Sequence, residues 1–288
     1  MRVTERMEFL DAFDRYLTSL LDLAPHEAIN GYPLTHISAP FFGTLIFFVV
    51  LFVASKFNFK NVSISHLLRF YLLISHRQDF SKLTLFHNVF LSLLSGIMFF
   101  SLAWSYFNNS ESGFELFCRP QDWSFPSSIQ FWVYIFYLSK FYEYLDTLIL
   151  VLKKRDVSFL QFYHHTIVPW IVWTFVRSNC ALTVQGVLWN SGVHTIMYYY
   201  YALGSLGYRD IWWKKYLTLI QILQFVSSLL LGSIFSFFVY LYGQDNCRGF
   251  NAFLFTTLFN ITFLILFLDL FKKNNPHPTS KKPASKVK

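Results

Sequence analysis

Seven stretches of this chain are apolar for long enough to cross the hydrocarbon core of a bilayer, at about 38–56, 83–105, 130–152, 157–177, 183–206, 215–242 and 250–271. A helix needs roughly 20 residues for one crossing. In hydrocarbon every backbone N–H and C=O must be satisfied within the segment, so runs of this length fold as helices. The pattern predicts an all-α, polytopic membrane protein with seven transmembrane helices. Composition agrees, because 54% of the 288 residues are hydrophobic and only 14% charged, against about a quarter in soluble domains.

Residues 1–37 precede the first apolar run, 38–271 hold all seven, and 272–288 form a tail. The start is unlike a cleavable signal peptide, since Glu5, Arg6, Glu8, Asp11, Asp14 and Arg15 interrupt it. It reads as an amphipathic or loose segment. The formal charge of +8 does not imply a nucleic-acid partner, because Lys and Arg sit at the ends of the apolar runs and in the tail. Lys56, Lys60, Arg69 and Arg77 fall in the first loop, Lys153, Lys154 and Arg155 in the third, Arg209, Lys214 and Lys215 in the fifth, and Lys272 onward in the tail. Basic residues collect in the cytosol, so these segments are expected there. The N-terminus and the loop bearing Glu111, Glu115 and Asp122 are expected on the lumenal side.

Asn108-Asn109-Ser110 in that loop matches a glycosylation sequon, although chance produces such triplets too. Cys118 and Cys247 lie in two lumenal loops, where an oxidising compartment favours a disulfide. The alternative is that all three cysteines, Cys180 included, pack as small apolar residues. No Cys-x-x-Cys spacing supports a zinc site. The tail is rich in Lys, Pro and Ser, a composition of disorder. Its Lys286 and Lys288 resemble a degenerate dilysine retrieval signal of the endoplasmic reticulum, and read equally as a solvated basic end.

Ionisable groups inside hydrocarbon cost at least a few kcal/mol each, so a concentration of them needs a cause. The third span ends with Lys140, Glu143, Asp146 and Thr147, of which Lys140, Glu143 and Thr147 share a helix face. They form either an ion-pair knot between helices or a support for neighbouring chemistry. In the fourth span Gln161, His164 and His165 point into one cavity by their i, i+3, i+4 spacing. The fifth carries Asn190, His194, Met197 and Tyr201 once per turn, and the sixth Thr218, Gln221 and Gln224. Amides in membranes commonly hydrogen-bond neighbouring helices, and tyrosines anchor at interfaces; Asn190 and His194 have neither explanation.

A histidine in an apolar tunnel is held as the neutral ring, because desolvation disfavours the imidazolium. Such a ring can attack a thioester and carry the acyl group as an acyl-imidazole. Nearby amide, hydroxyl and imidazole donors can stabilise each oxyanion. A di-iron centre needs about eight clustered histidines, whereas His26, His36, His66, His76, His87 and His277 are scattered away from His164, His165 and His194. A single divalent ion has only weak support, because its ligands usually include more than these imidazoles, so no metal and no cofactor is expected and a metal-dependent oxidase is the lesser alternative.

Four motifs in order resemble the ELO family of very-long-chain fatty-acid elongases. They are Lys-x-x-Glu-x-x-Asp-Thr at Lys140, Glu143, Asp146 and Thr147; the histidine box at Gln161, His164 and His165; Asn-x-x-x-His-x-x-Met-Tyr-x-Tyr-Tyr from Asn190 through His194 to Tyr201; and Thr-x-x-Gln-x-x-Gln at Thr218, Gln221 and Gln224. The His87-Asn88 pair is similar to the family as well. One position departs: the family's box begins with His, where this chain has Gln161. Glutamine hydrogen-bonds but cannot shuttle a proton at neutral pH.

The resemblance implies six helices in a barrel around an acyl tunnel, a seventh packed outside, and condensation of a long-chain acyl-CoA with malonyl-CoA. His164 would take the acyl chain and His194 would serve decarboxylation, with Gln161, His165, Asn190 and Asp146 orienting them. Lys140, Glu143, Thr147, Lys153, Lys154, Tyr201, Gln221 and Gln224 would contact substrate. The implied partners are a ketoacyl-CoA reductase, a hydroxyacyl-CoA dehydratase and an enoyl-CoA reductase in the endoplasmic reticulum membrane, with a homodimer allowed for. The rival class is a seven-helix transporter or receptor, which would line its whole path with polar groups; here they cluster around one set of faces.

Overall fold

The computed structural model describes residues 3–23, 31–57, 77–109, 114–120 and 123–275. Expectations placed on Lys60, Arg69, Ser110, Glu111, Asp122, on His26, His66, His76 and His277, and on the tail beyond Asn275 lie outside those residues. The described chain is helical: α1 (Val3–Leu20), α2 (Ser38–Phe57), α3 (Arg77–Asn109), α4 (Ser127–Tyr142), α5 (Tyr144–Leu152), α6 (Phe159–Ser178), α7 (Leu182–Ser205), α8 (Lys214–Tyr242) and α9 (Phe250–Asn274), with a 3₁₀ turn at Phe114–Leu116. No strand occurs among the described residues.

Windows within α2 (Ser38–Ser55), α3 (Ser81–Asn109), α8 and α9 are long and apolar enough by themselves to cross a bilayer. α6 and α7 have comparable length but carry the histidines, Arg177, Gln185 and Asn190. The third apolar stretch, expected as one helix, is two. α4 and α5 meet at Glu143, where the Asp146 N–H bonds Glu143 O at 3.0 Å in a tightened i to i+3 turn. Glu143 keeps right-handed dihedrals (φ −62°, ψ −14°), so the chain resumes as a helix at once. α9 continues through Lys272 and Lys273, so helix extends past the tail boundary expected at residue 272.

The helices close a ring. α3 packs on α7, α7 on α8, α8 on α9, α9 on α6, α6 on α4, and α4 back on α3, while α2 leans on α5 and α6 from outside. Membrane helices gain little from burying apolar surface against one another, so close packing at small residues and interhelical hydrogen bonds hold them. Ser92 Oγ donates to Thr195 O at 2.9 Å and Ser81 Oγ to Ser205 O at 3.1 Å, which sets α3 along α7. Between α8 and α9, a Cβ added at Gly232 would lie 2.5 Å from the Phe253 ring, so the glycine lets that ring rest against the α8 backbone where it stands.

One end of the ring, the basic end, carries the start of α8 and the Lys153–Arg155 turn. At the other, Cys118 is disulfide-bonded to Cys247 across 129 residues, linking the segment before α4 to the α8–α9 connection. Cys180 lies beside them as a free, buried thiol whose pKa burial pushes up to about 12. Gly249 (φ +86°) passes so close that a Cβ there would sit 2.6 Å from Cys180 Cβ. The same end holds Arg177, fully buried, whose Nη1 donates to Asp14 Oδ1 at 2.6 Å and Nη2 to Thr18 Oγ1 at 2.7 Å.

Alkylation should read this arrangement. Native protein is expected to take up no maleimide, denatured unreduced protein one per chain at Cys180, and reduced denatured protein three, as counted by intact mass; two or three adducts without reductant would contradict the pairing.

Candidate active site

Local sequence fixes where α6 begins, and hence how its histidines face. Ser158 caps the helix, its Oγ accepting from the Gln161 N–H at 3.2 Å. With the start set there, Gln161, His164 and His165 all line a cavity of about 680 Å³ that extends from the ring's interior to the basic end. α7 contributes Asn190, His194, Met197 and Tyr201, α8 contributes Gln221 and Gln224, and the α4–α5 column contributes Glu143 and Asp146. Pro169, one turn beyond the histidines, has no N–H, so the His165 carbonyl lacks its usual helical donor.

Three imidazoles converge. The His164 ring centroid lies 5.2 Å from that of His165 and 6.4 Å from that of His194. His165 and His194 are buried, whereas His164 is partly exposed to the cavity. His164 also packs against Phe263 at 5.4 Å between centroids.

Two carboxylates hold this group from behind. Glu143 is buried and accepts from Lys140 Nζ at 2.6 Å, and Lys140 Nζ also donates to Asn190 Oδ1 at 3.3 Å. Lys140 sits over the Phe136 ring at 4.1 Å, and His194 Nδ1 faces Glu143 Oε1 at 3.6 Å. Asp146 is the second hub. Tyr198 donates its hydroxyl to Oδ2 at 2.7 Å, His87 Nε2 bonds Oδ1 at 2.5 Å, and His165 Nε2 lies 3.8 Å from Oδ2. Gln161 Nε2 donates to Thr147 Oγ1 at 3.3 Å and Gln221 Nε2 to Met197 Sδ at 3.6 Å.

The residues singled out from sequence therefore fall into three groups. Gln161, His164, His165, Asn190, His194, Glu143, Asp146, Tyr201, Gln221, Gln224 and Lys153 line the cavity. Lys140 and Thr147 stand behind the lining, buried and hydrogen-bonded to residues that do line it. Lys154 is exposed in a turn with φ +55° and off the cavity wall. Two further residues line the cavity beyond those the sequence indicates, His87 on α3 and Tyr198 on α7, and both grip Asp146. Tyr198 belongs to a motif singled out above, but nothing in its spacing separates it from its neighbours, and His87 stands 59 residues from Asp146.

At its inner end the cavity meets a second, narrower one of about 150 Å³ lined by Val168, Ile171, Val172, Phe175, Trp189, Phe253 and their neighbours, reaching Cys180. His164, Asn190, Gln224 and Phe225 line both, so His164 stands where the cavity that holds the buried polar groups passes into a smaller, largely apolar bore. At its outer end Lys153, Arg155 and Lys214 line the mouth. Burial, and secondarily the Arg155 charge, lower the Lys153 pKa. Cations at an opening followed by an apolar bore suit a molecule with an anionic head and a long hydrocarbon tail.

A family model described as ELO, the GNS1/SUR4 family, matches residues 32–283. The chain is 37% identical over 213 residues to a candidate fatty acid elongase of Dictyostelium discoideum, covering 72% of each chain. It is 32% identical to fatty acid elongase sre1 of the same organism, over 67% of this chain and 73% of that one. It is 33% identical to very long chain fatty acid elongase 7 of Rattus norvegicus, over 68% of this chain and 71% of that one.

Removing one partner of a buried ion pair leaves an uncompensated charge, at a cost of about 3–5 kcal/mol. Lys140→Met is therefore expected to lower the thermal midpoint of detergent-purified protein well below that of Lys140→Met combined with Glu143→Gln; equal losses would show that the two side chains are not coupled.

Proposed function

The chain belongs to the GNS1/SUR4 family, also called ELO, and from that premise we propose that it is the condensing enzyme of fatty-acid elongation, joining a long-chain acyl-CoA to the two-carbon unit of malonyl-CoA. The observation that carries the reading is the meeting of His164, His165 and His194 at the junction of a cation-mouthed vestibule and an apolar bore. An acyl-CoA fits that sequence of surfaces in order: phosphates at Lys153, Arg155 and Lys214, thioester at the imidazoles, hydrocarbon in the bore.

In the first step a neutral imidazole nitrogen of His164 attacks the thioester carbonyl. The C–S bond breaks, CoA leaves, and the proton lost from the imidazole passes to the departing thiolate, leaving an acyl-imidazole. Malonyl-CoA then enters the vacated vestibule and loses carbon dioxide. The enolate so formed attacks the acyl carbon, a C–C bond replaces the C–N bond, and one proton is taken up to restore the imidazole. The product is a 3-ketoacyl-CoA two carbons longer. His194 stands beside His164 to stabilise enolate charge, and its Nδ1 is oriented toward Glu143. Asn190, held by Lys140, offers its amide to the oxyanion.

Gln161 acts as an orienting group in this scheme. Its amide is engaged with Thr147, so the first position of the box needs a hydrogen bond and no proton transfer. The chain crosses the endoplasmic reticulum membrane seven times with the basic end in the cytosol, where CoA esters are supplied. Its product passes to a ketoacyl-CoA reductase, a hydroxyacyl-CoA dehydratase and an enoyl-CoA reductase. No cofactor is required beyond the two substrates.

Protein incubated with acyl-CoA alone is expected to gain the mass of one acyl group on His164 and release one CoA, and to lose the adduct with carbon dioxide release when malonyl-CoA is added. His164→Ala is expected to abolish adduct and product together. A variant that still condenses at the wild-type rate removes the mechanism. Replacing Lys153 and Arg155 together by Ala removes two mouth cations and is expected to raise KM for acyl-CoA about tenfold, some 1.4 kcal/mol, with kcat within twofold, as read by steady-state kinetics.

A further inference from the structure

α1 has three faces where an ordinary surface helix has two. Leu10, Asp14 and Leu21 are buried, with Leu17 packed beside them against the core. About a quarter turn away, at roughly 100° per residue, Phe9, Phe13, Tyr16 and Leu20 form a stripe along the helix that is 61%, 36%, 60% and 49% exposed. Within it Phe9 stacks on Phe13 at 6.2 Å and Phe13 on Tyr16 at 6.5 Å. The remaining face carries Glu8, Asp11, Arg15 and Ser19.

The anchors of α1 give its position. Asp14 accepts from the Ile37 N–H at 3.0 Å, just before α2, and Asp11 pairs with His36 at 3.2 Å. Thr18 and Asp14 hold Arg177 in the last turn of α6, and Asn251 at the start of α9 donates to Leu20 O at 3.1 Å. These three helix ends share the disulfide end of the ring, so α1 runs across the bundle end and not along it. The first turn of α2, directly after Ile37, exposes Phe41 and Phe42 on the outer surface of the bundle.

We infer that α1 is an interfacial helix, lying in the headgroup layer at the disulfide end with Phe9, Phe13, Tyr16 and Leu20 inserted at the acyl boundary. Protein, lipid and water then each meet one face, which is what a helix at the corner of a membrane-embedded bundle requires. Aromatic and tyrosine side chains suit that depth, and Phe41 and Phe42, exposed near the start of α2, lie at the same end of the bundle. A second copy of the chain fits less well, because four partly covered side chains offer only a fraction of the roughly 800 Å² per partner of a standard interface.

The native cysteines allow a direct test on the full chain, since Cys118 and Cys247 are bonded and Cys180 is buried. Phe13→Cys and Tyr16→Cys on the stripe, and Glu8→Cys and Arg15→Cys on the polar face, are labelled in detergent with an environment-sensitive fluorophore and reconstituted in phosphatidylcholine nanodiscs. The stripe positions are expected to emit at shorter wavelength and to be quenched at least twofold more by nitroxide near the lipid glycerol than by a water-soluble nitroxide, with the reverse at the polar positions. Equal aqueous quenching at all four positions overturns the inference. So does protection of the stripe that depends on the protein-to-lipid ratio and ignores lipid nitroxide, which would assign it to a second copy.

Discussion

The ion pair between Lys140 and Glu143 is the interaction on which the rest of the site depends. Both side chains are buried, and neither charge could be held there alone. Together they sit at the joint of α4 and α5 and reach outward to α7 through Asn190 and His194. The pair thus does structural and chemical work with the same atoms. It bridges the start of the turn that divides the third column, and it supplies fixed charge beside His194.

A second consequence follows from placing two carboxylates at different depths. Glu143 addresses His194 and Lys140, which in turn holds Asn190, while Asp146 gathers His87, Tyr198 and His165. These sets draw α3, the α4–α5 column, α6 and α7 together from inside the ring, so the interior is tied by polar contacts and the exterior is left to lipid. His164 stands between the two sets with its face to the cavity, which lets it meet a substrate without disturbing the bonds that orient its neighbours.

Much of this was legible in the sequence because hydrocarbon is an unforgiving solvent. Run length marked the apolar stretches, spacing put Gln161, His164 and His165 on one cavity and Asn190 and His194 on one stripe, and the family resemblance joined the two sets. What spacing could not show was which residue meets which across helices. His87 reaches Asp146 from 59 residues away and Arg177 reaches Asp14 from 163, and neither distance leaves a periodic trace. The break at Glu143 was hidden for a different reason: the residue keeps helical dihedrals, and no Gly or Pro marks it. Lys153 and Lys154 looked alike as a basic pair, yet the turn that ends α5 sends one to the mouth and the other to solvent.

The order of the elements along the chain gives the ring a temporal property. α9 is the member that joins α8 to α6 and so closes the wall around the bore, and it follows every histidine of the site in sequence. During synthesis the reactive rings are therefore complete before their enclosure is. Until that final hairpin docks and Cys247 reaches Cys118, the inner cavity beside His164 lacks the wall that Phe253, Thr256 and Phe263 supply.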